Sequence, residues 1–176
     1  MKKLPREMES QIWSSVVRLK QLFNHEVLNC ADQALHQSCL IEIIILLRDL
    51  LSKADKLRLR IDFDDDVIKM SNPFYSYKGR IKEIKDVTDV VTFFRDAMCH
   101  VDSRNRFLSP TVNFSFNVLY PKAKVTFTKT GIVLENIYED ENAYYYGPQR
   151  IYINRHLKRA FMEVVEKFNK NYSLNL

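Results

Sequence analysis

The sequence predicts a mainly α-helical domain with a small antiparallel β meander inserted before its last helix, so that the fold is α+β overall. Apolar residues recur at spacings of three and four in three long segments and in one near the C-terminus, which is the period of amphipathic helices. Between about residues 111 and 152 the period changes to two, which is typical of half-buried strands. A chain of 176 residues has the size of one ordinary domain. We therefore expect a single domain over residues 1–176, with a helical core at about 8–108 and 153–170 and a β insertion at about 111–152.

The N-terminal part of the chain contains the first two helices. A first helix is expected from about Glu7 to Cys30, and its apolar face is formed by Ile12, Val16, Leu19, Phe23 and Val27. A second helix is expected from about Asp32 to Lys53. Apolar residues surround nearly its whole circumference, which indicates burial at the centre of a bundle or at a dimer seam. Residues 54–80 are only partly assigned, because LRLRIDFDDDVIKM fits an extended stretch or a short helix and SNPFYSYKGR indicates a turn.

The remaining elements follow the same two periods. A third helix is expected from about Asp86 to Val101, and the alternation over residues 112–120 predicts a strand. KVTFT and GIVLENIY continue the alternation across a turn at Lys129-Thr130-Gly131, and AYYYGPQRIYI can add another strand. Asn154 is expected to cap the last helix, because asparagine is favoured at helix N-termini.

Composition and charge narrow the class of protein. The formal net charge of +5 modestly favours polyanionic partners such as RNA. Cys30, Cys39 and Cys99 are odd in number and lack the spacing of a zinc site, which favours a reducing cytoplasm without a bound metal. The segment MKKLPREMESQIW lacks the apolar block of a signal peptide, and the run CLIEIIILLRDLL is shorter than the roughly 20 residues of a membrane span. We therefore expect neither a cofactor nor membrane association.

The segment RDAMCH of the third helix contains three residues with complementary chemistry, Arg95, Asp96 and His100. A histidine can transfer protons near neutral pH, an arginine can hold a phosphate through paired N–H donors, and a carboxylate can orient either. At about 100° per residue, Asp96 and His100 project together, whereas Arg95 lies about 140° away from His100. A contact between Arg95 and His100 therefore requires a helix end or a distortion near Cys99, or an arginine from a second subunit.

Arg95, the polar Asp96 and, after three further residues, His100 resemble the RxxxxH signature of HEPN ribonucleases. The resemblance covers the helical parts of the chain and implies a HEPN-like bundle of four or five helices. It further implies a homodimer in which two motifs meet in one composite cleft. The strands between the motif and the last helix resemble an elaboration found in some plasmid- or defence-associated members.

The same resemblance implies a metal-independent endoribonuclease of the toxin or phage-defence type. His100 would assist attack of the ribose 2′-hydroxyl on its phosphate, Arg95 would bind the phosphoryl oxygens, and Asp96 would orient them. The implied products are a 2′,3′-cyclic phosphate and a 5′-hydroxyl. Members that are silenced by nucleotidyl transfer carry a tyrosine where this chain has Asp102, so that form of regulation is not implied. An antitoxin or another regulatory protein is a further expected partner.

The three residues of RDAMCH also fit functions without catalysis. A non-catalytic HEPN module could bind RNA, a nucleotide or a partner protein through the same cleft, and a helical dimerisation protein could carry the motif by accident. Four more arginines could contact RNA phosphates, although surface solubility is their commoner role: Arg104, Arg106, Arg150 and Arg155.

Two further groups of residues are weaker candidates. The aromatic run Tyr144–Tyr146 could stack on bases, but tyrosines in strands more often pack across neighbouring strands. Arg150 and His156 form a second Arg/His pair, six residues apart. This pair ranks below the first because Arg150 precedes the apolar Ile151 in an expected strand.

Overall fold

The computed structural model of the chain describes residues 3–24, 33–65, 68, 84–100, 102–109, 112–128 and 131–176. Within these ranges the α-helices are α1 (Arg6–Phe23), α2 (Gln33–Lys56), α3 (Val87–Cys99) and α4 (Arg159–Tyr172). A 3₁₀ turn occupies Arg104–Arg106, and a π-helix over Ile153–Lys158 leads directly into α4. Cys30, the predicted turn segment SNPFYSYKGR and the predicted turn residues Lys129 and Thr130 lie outside the described ranges.

The strands correct the predicted fold class. Within the described ranges seven strands form three antiparallel sheets, so the chain is a mixed α+β fold and the prediction of a mainly helical bundle with one small meander is wrong. The strands are β1 (Phe107–Ser109), β2 (Val112–Asn113), β3 (Asn117–Leu119), β4 (Lys124–Phe127), β5 (Ile132–Glu135), β6 (Ala143–Tyr146) and β7 (Gln149–Tyr152). The sheets are β1-β2, β4-β5 and β3-β6-β7.

The pairing of β3 explains why one meander does not form. In a meander each strand pairs with its sequence neighbour, but β3 skips the β4-β5 hairpin and pairs with β6, with Leu119 opposite Ala143. The alternation predicted over residues 112–120 is accordingly divided between β2 and β3. A period of two reveals strands without revealing their partners.

Helix α2 lies at the centre of the helical part. It packs against α1, α3 and α4, in agreement with the bundle-centre alternative for this helix. Its core residues are almost completely shielded from solvent: Leu40, Ile43, Ile44, Leu47, Leu50 and Leu51. A helix with apolar residues on most of its circumference gains most from such a position, because each buried leucine or isoleucine contributes about 1.5–3 kcal/mol. No helix in the described ranges is both long enough and apolar enough to span a membrane.

The N-terminus of α3 is fixed by a polar cluster. The Asp86 carboxylate accepts a hydrogen bond from the Asp89 backbone N–H and therefore caps the helix. The Arg60 guanidinium donates to Asp86 at 2.9 and 3.0 Å and to Asp89 at 2.9 Å. Thr88 adds a bond from its hydroxyl to the Ile61 carbonyl, at 2.6 Å. These contacts tie the chain that follows α2 to the start of α3.

The sheet β3-β6-β7 has two buried faces. Tyr144 and Tyr146 face the helical core, whereas Tyr145 and Tyr152 belong to a second core with Leu108, Leu119, Leu134 and Ala143. Burial in that second core raises the pKa of Tyr152 to about 12. Each residue of the run Tyr144–Tyr146 is only 2% exposed, so none of the three rings is available at the surface for base stacking. Phe116 packs on Tyr144 and Tyr146, which is the packing role that the sequence favours.

The start of the last helix differs from the prediction. The residue before the π-helix is Tyr152, so the prediction that Asn154 caps this helix is wrong. The Asn154 backbone N–H instead donates to the Glu141 carboxylate at 2.9 Å. His156, inside the π-helix, accepts at Nδ1 from the Tyr152 N–H and contacts Asp65 through Nε2 at 2.9 Å. These bonds anchor the helix start, because a buried histidine needs partners for both ring nitrogens.

The β6-β7 turn touches the 3₁₀ turn that follows α3. Gly147 has a left-handed φ of +54°, and its N–H donates to the Phe114 carbonyl at 2.7 Å. A Cβ atom at this position would overlap the Asn105 carbonyl oxygen. Gly131 also has a left-handed φ, +68°, but a Cβ atom there would meet nothing within 4 Å.

We predict that Gly147→Ala lowers the free energy of unfolding by about 1–3 kcal/mol more than Gly131→Ala does. Both substitutions impose left-handed strain on alanine, but only the one at Gly147 also forces the Asn105 backbone to move. Urea denaturation of the two variants measures the difference. Equal destabilisation would show that the close approach to Asn105 is not a constraint.

Candidate functional site

The candidate site lies where α3 ends. The prediction that this helix continues to Val101 is wrong, because α3 ends at Cys99 and His100 is extended, with φ −118° and ψ 113°. The His100 N–H still donates to the Asp96 carbonyl at 3.2 Å, so His100 is the first residue beyond the last turn. Its side chain is exposed. Val101 lies outside the described residues.

The end of the helix brings Arg95 and His100 together. Arg95 Nη1 lies 2.8 Å from His100 Nε2 and 3.1 Å from Asp96 Oδ1. The sequence predicts that this contact needs a helix end or a distortion near Cys99, or a second subunit. The end of α3 at Cys99 brings the two side chains together within one chain. The predicted common direction of Asp96 and His100 on a helix face no longer applies. The three candidate residues nevertheless form one connected group.

The hydrogen-bond roles follow from the chemistry of the guanidinium. Arginine remains protonated and can only donate, so His100 Nε2 accepts and the imidazole proton resides on Nδ1 in this arrangement. Arg95 thus lies between a carboxylate and an imidazole. The side chains of Arg95 and Asp96 are 35% and 44% exposed, so an incoming phosphate can reach the guanidinium. The group can bind an anion and can accept a proton beside it.

A second arginine occupies the carbonyl end of α3. Arg106 donates from Nε to the Ala97 carbonyl at 2.6 Å and from Nη2 to the Met98 carbonyl at 3.3 Å. Asn105 donates from its side-chain amide to the Phe93 carbonyl at 3.3 Å. The turn Arg104–Arg106 is therefore bound to the last turns of the helix. Arg106 was predicted only as a possible RNA contact and its role at the helix end was missed, although basic residues after a helix often bind its last carbonyls.

The other three arginines predicted for RNA contact differ in their surroundings. Arg150 is 6% exposed and donates to the Glu135 carbonyl at 2.6 Å. Arg155 pairs with Glu141 at 2.6 Å and with Asp140 at 2.9 Å, and these bonds raise the pKa of Arg155. Arg104 is exposed, with its guanidinium carbon 5.7 Å from the centre of the Phe107 ring. Of these three, Arg104 presents the most accessible cation to a phosphate.

The second Arg/His pair is not brought together as a site. His156 is completely buried and has both ring nitrogens engaged, while Arg150 reaches the Glu135 carbonyl in the strand region. Among the described residues no group of three or more His, Cys, Asp and Glu side chains has the arrangement of a metal site. Comparisons of the chain with models of protein families, with curated proteins and with solved structures found no match.

We predict that Arg150→Met lowers the free energy of unfolding by about 1.5–3 kcal/mol, because a buried charged hydrogen bond to the Glu135 carbonyl is lost. Arg104→Met, which alters an exposed arginine, should change stability by less than about 0.5 kcal/mol. Chemical denaturation of both variants tests the contrast. Equal effects would contradict the assignment of Arg150 to the folded core.

Proposed function

We propose that this chain is a metal-independent endoribonuclease of the toxin or phage-defence type, with Arg95, Asp96 and His100 as its catalytic group. The observation that supports this proposal best is the 2.8 Å contact between Arg95 Nη1 and His100 Nε2 at an accessible helix end. An anion-binding guanidinium and a proton-accepting imidazole are thereby adjacent. Cleavage of RNA through its own 2′-hydroxyl can use both groups, the imidazole as a base and the guanidinium as a phosphate ligand.

In the proposed reaction, a phosphodiester of RNA first competes with His100 for the N–H donors of Arg95. The phosphate carries a full negative charge and accepts charged hydrogen bonds more strongly than a neutral imidazole does. Transfer of the Arg95 donor to the phosphate frees the lone pair of His100 Nε2. Asp96, 3.1 Å from the same guanidinium nitrogen, keeps Arg95 aligned.

His100 Nε2 then takes the proton of the ribose 2′-hydroxyl. The 2′-oxygen forms a bond to phosphorus, the bond from phosphorus to the 5′-oxygen breaks, and the 5′-oxygen takes a proton from water or from a second imidazole. The products are a 2′,3′-cyclic phosphate and a 5′-hydroxyl. Proton transfer to a positioned base contributes about 10²–10⁴-fold in rate, and Arg95 stabilises the charge that builds on the phosphoryl oxygens.

A second copy of the chain would complete this chemistry. Two RDAMCH segments across a two-fold axis would supply the second imidazole for the leaving 5′-oxygen. The proposal therefore includes a homodimer in the cytoplasm, where the thiols of Cys39 and Cys99 remain reduced. An antitoxin or another regulatory protein would restrain cleavage by covering the site.

The alternative function is a non-catalytic module that binds RNA, a nucleotide or a partner protein through the same residues. The same contact favours it in one respect, since His100 Nε2 is occupied by Arg95 in the chain alone. In this alternative the Arg95 donors hold an anion and His100 never accepts a proton. Binding and cleavage separate the two functions.

We predict that the purified full chain cuts total RNA in excess EDTA, and that Arg95→Ala and His100→Ala each lower the rate by about 10²–10⁴-fold. Arg48→Ala, which removes an exposed arginine from α2, serves as the matched control and should keep the wild-type rate. Gel analysis of the RNA with time gives the rates. Unchanged cutting by both site variants would overturn the assignment.

A chimeric substrate tests the nucleophile. Once a cut position is mapped, an oligonucleotide with a single 2′-deoxy sugar at that position should resist cleavage, because the attacking hydroxyl is missing. Cleavage of the deoxy substrate would exclude the proposed reaction. Retained RNA binding that depends on Arg95, without cleavage of any RNA tested, would favour the binding module.

A further inference from the structure

The Arg106 side chain donates hydrogen bonds to backbone carbonyls at the end of α3. We propose that Arg106 is a positioning residue that stops the helix at Cys99 and thereby holds His100 against Arg95. The effect of Arg106 on catalysis rests on the proposed function, whereas its effect on the position of His100 does not. Arg106 thus acts on the site through the backbone and need not touch RNA.

The two carbonyl groups that Arg106 binds are the ones that a longer helix would use. If α3 continued, the Ala97 carbonyl would accept from the N–H of residue 101 and the Met98 carbonyl from that of residue 102. The Arg106 guanidinium donates to both carbonyls, at 2.6 and 3.3 Å. A cation here also interacts favourably with the negative end of the helix dipole. Because Arg106 satisfies both carbonyls without another turn, a longer helix would gain less free energy from new hydrogen bonds.

The position of Arg106 is itself fixed from two sides. On the helix side, the Asn105 amide donates to the Phe93 carbonyl at 3.3 Å. On the sheet side, the Phe114 N–H donates to the Arg106 carbonyl at 2.7 Å, and Gly147 lies against the Asn105 backbone. The guanidinium is half-buried in this turn. Arg106 is therefore held as part of the framework and is poorly placed to follow a mobile phosphate.

Loss of this arginine would change the geometry of the site. A helix that extends through His100 would carry its imidazole about 140° around the axis from Arg95. The 2.8 Å contact between the two side chains is made with His100 extended. Replacement of Arg106 by an apolar residue of similar length should therefore separate the pair without removing either member.

The test uses the full chain with Arg106→Met, Arg106→Lys and, as controls, Arg95→Ala and Arg48→Met. The first readout is the NMR cross-peak of the His100 ring, assigned by its absence in His100→Ala. We expect Arg95→Ala to move this signal, Arg106→Met to move it in the same way, and Arg106→Lys to move it less because lysine can still donate to one carbonyl. Arg48→Met should leave it unchanged.

The second readout is RNA cleavage. Arg106→Met should lower kcat by about 10²-fold with less than about threefold change in KM, because the phosphate ligand Arg95 is retained but His100 is displaced. Arg106→Lys should recover part of kcat. Thermal unfolding by circular dichroism establishes that each variant is folded, and if Arg106→Met is not folded, Arg106→Lys decides the question.

The outcomes of the two readouts are distinguishable. A His100 signal that moves in Arg95→Ala and stays at the wild-type position in the folded Arg106 variants would overturn the positioning role. A signal that is unaffected in Arg95→Ala would overturn it as well, because no contact would exist to be positioned. If the wild-type chain does not cut RNA, the proposed function fails, and the ring signal still decides whether Arg106 holds His100.

Discussion

The last carbonyl groups of a helix need hydrogen-bond donors from outside the helix. The candidate site depends on which residue donates to the last carbonyl groups of α3. Arg106 supplies donors to Ala97 and Met98 from a turn that the sheet region holds in place. The consequence is an extended His100 in contact with Arg95. Helix, turn and sheet are therefore parts of one arrangement, although the candidate catalytic residues all lie within six positions of the sequence.

The opposite end of α3 is equally constrained. Asp86 caps it, and Arg60 binds Asp86 and Asp89, so carboxylates stand at the positive end of the helix dipole. Between the two ends, the apolar face of α3 packs against α2. A helix fixed at both termini and along one side can present its exposed residues in a defined geometry, which a binding or catalytic group requires.

The elements that depend on local sequence were predictable. The periods of three to four and of two located α1, α2, most of α3 and the β4-β5 hairpin, because these patterns report which side of an element is buried. The types and order of Arg95, Asp96 and His100 selected a candidate site, and its role stays a prediction. A wheel drawn for a continuous helix could not place Arg95 against His100, since the end of the helix is determined by a residue further along the chain.

Features that depend on distant residues escaped prediction. β3 pairs with β6, and alternate side chains of β6 belong to two different buried cores. A period of two in the sequence does not indicate which strands pair. Arg150 and Arg155 have the same basic character as a phosphate ligand, yet the structure surrounds them with a carbonyl and with carboxylates. The chemistry of a side chain is visible in the sequence, whereas its partner is a property of the fold.

The π-helix at Ile153–Lys158 has a consequence for how the chain tolerates changes in length. A π turn contains one residue more than an α turn, so deleting one residue there leaves a continuous helix behind it. The deletion would convert the wide turn into an α turn and leave α4 in nearly the same rotational phase relative to β7, because the π turn completes the same rotation with one more residue. The face that carries Val164 and Phe168 would then stay in the core. The π-helix is therefore a place where the chain can lose one residue without rotating its final helix.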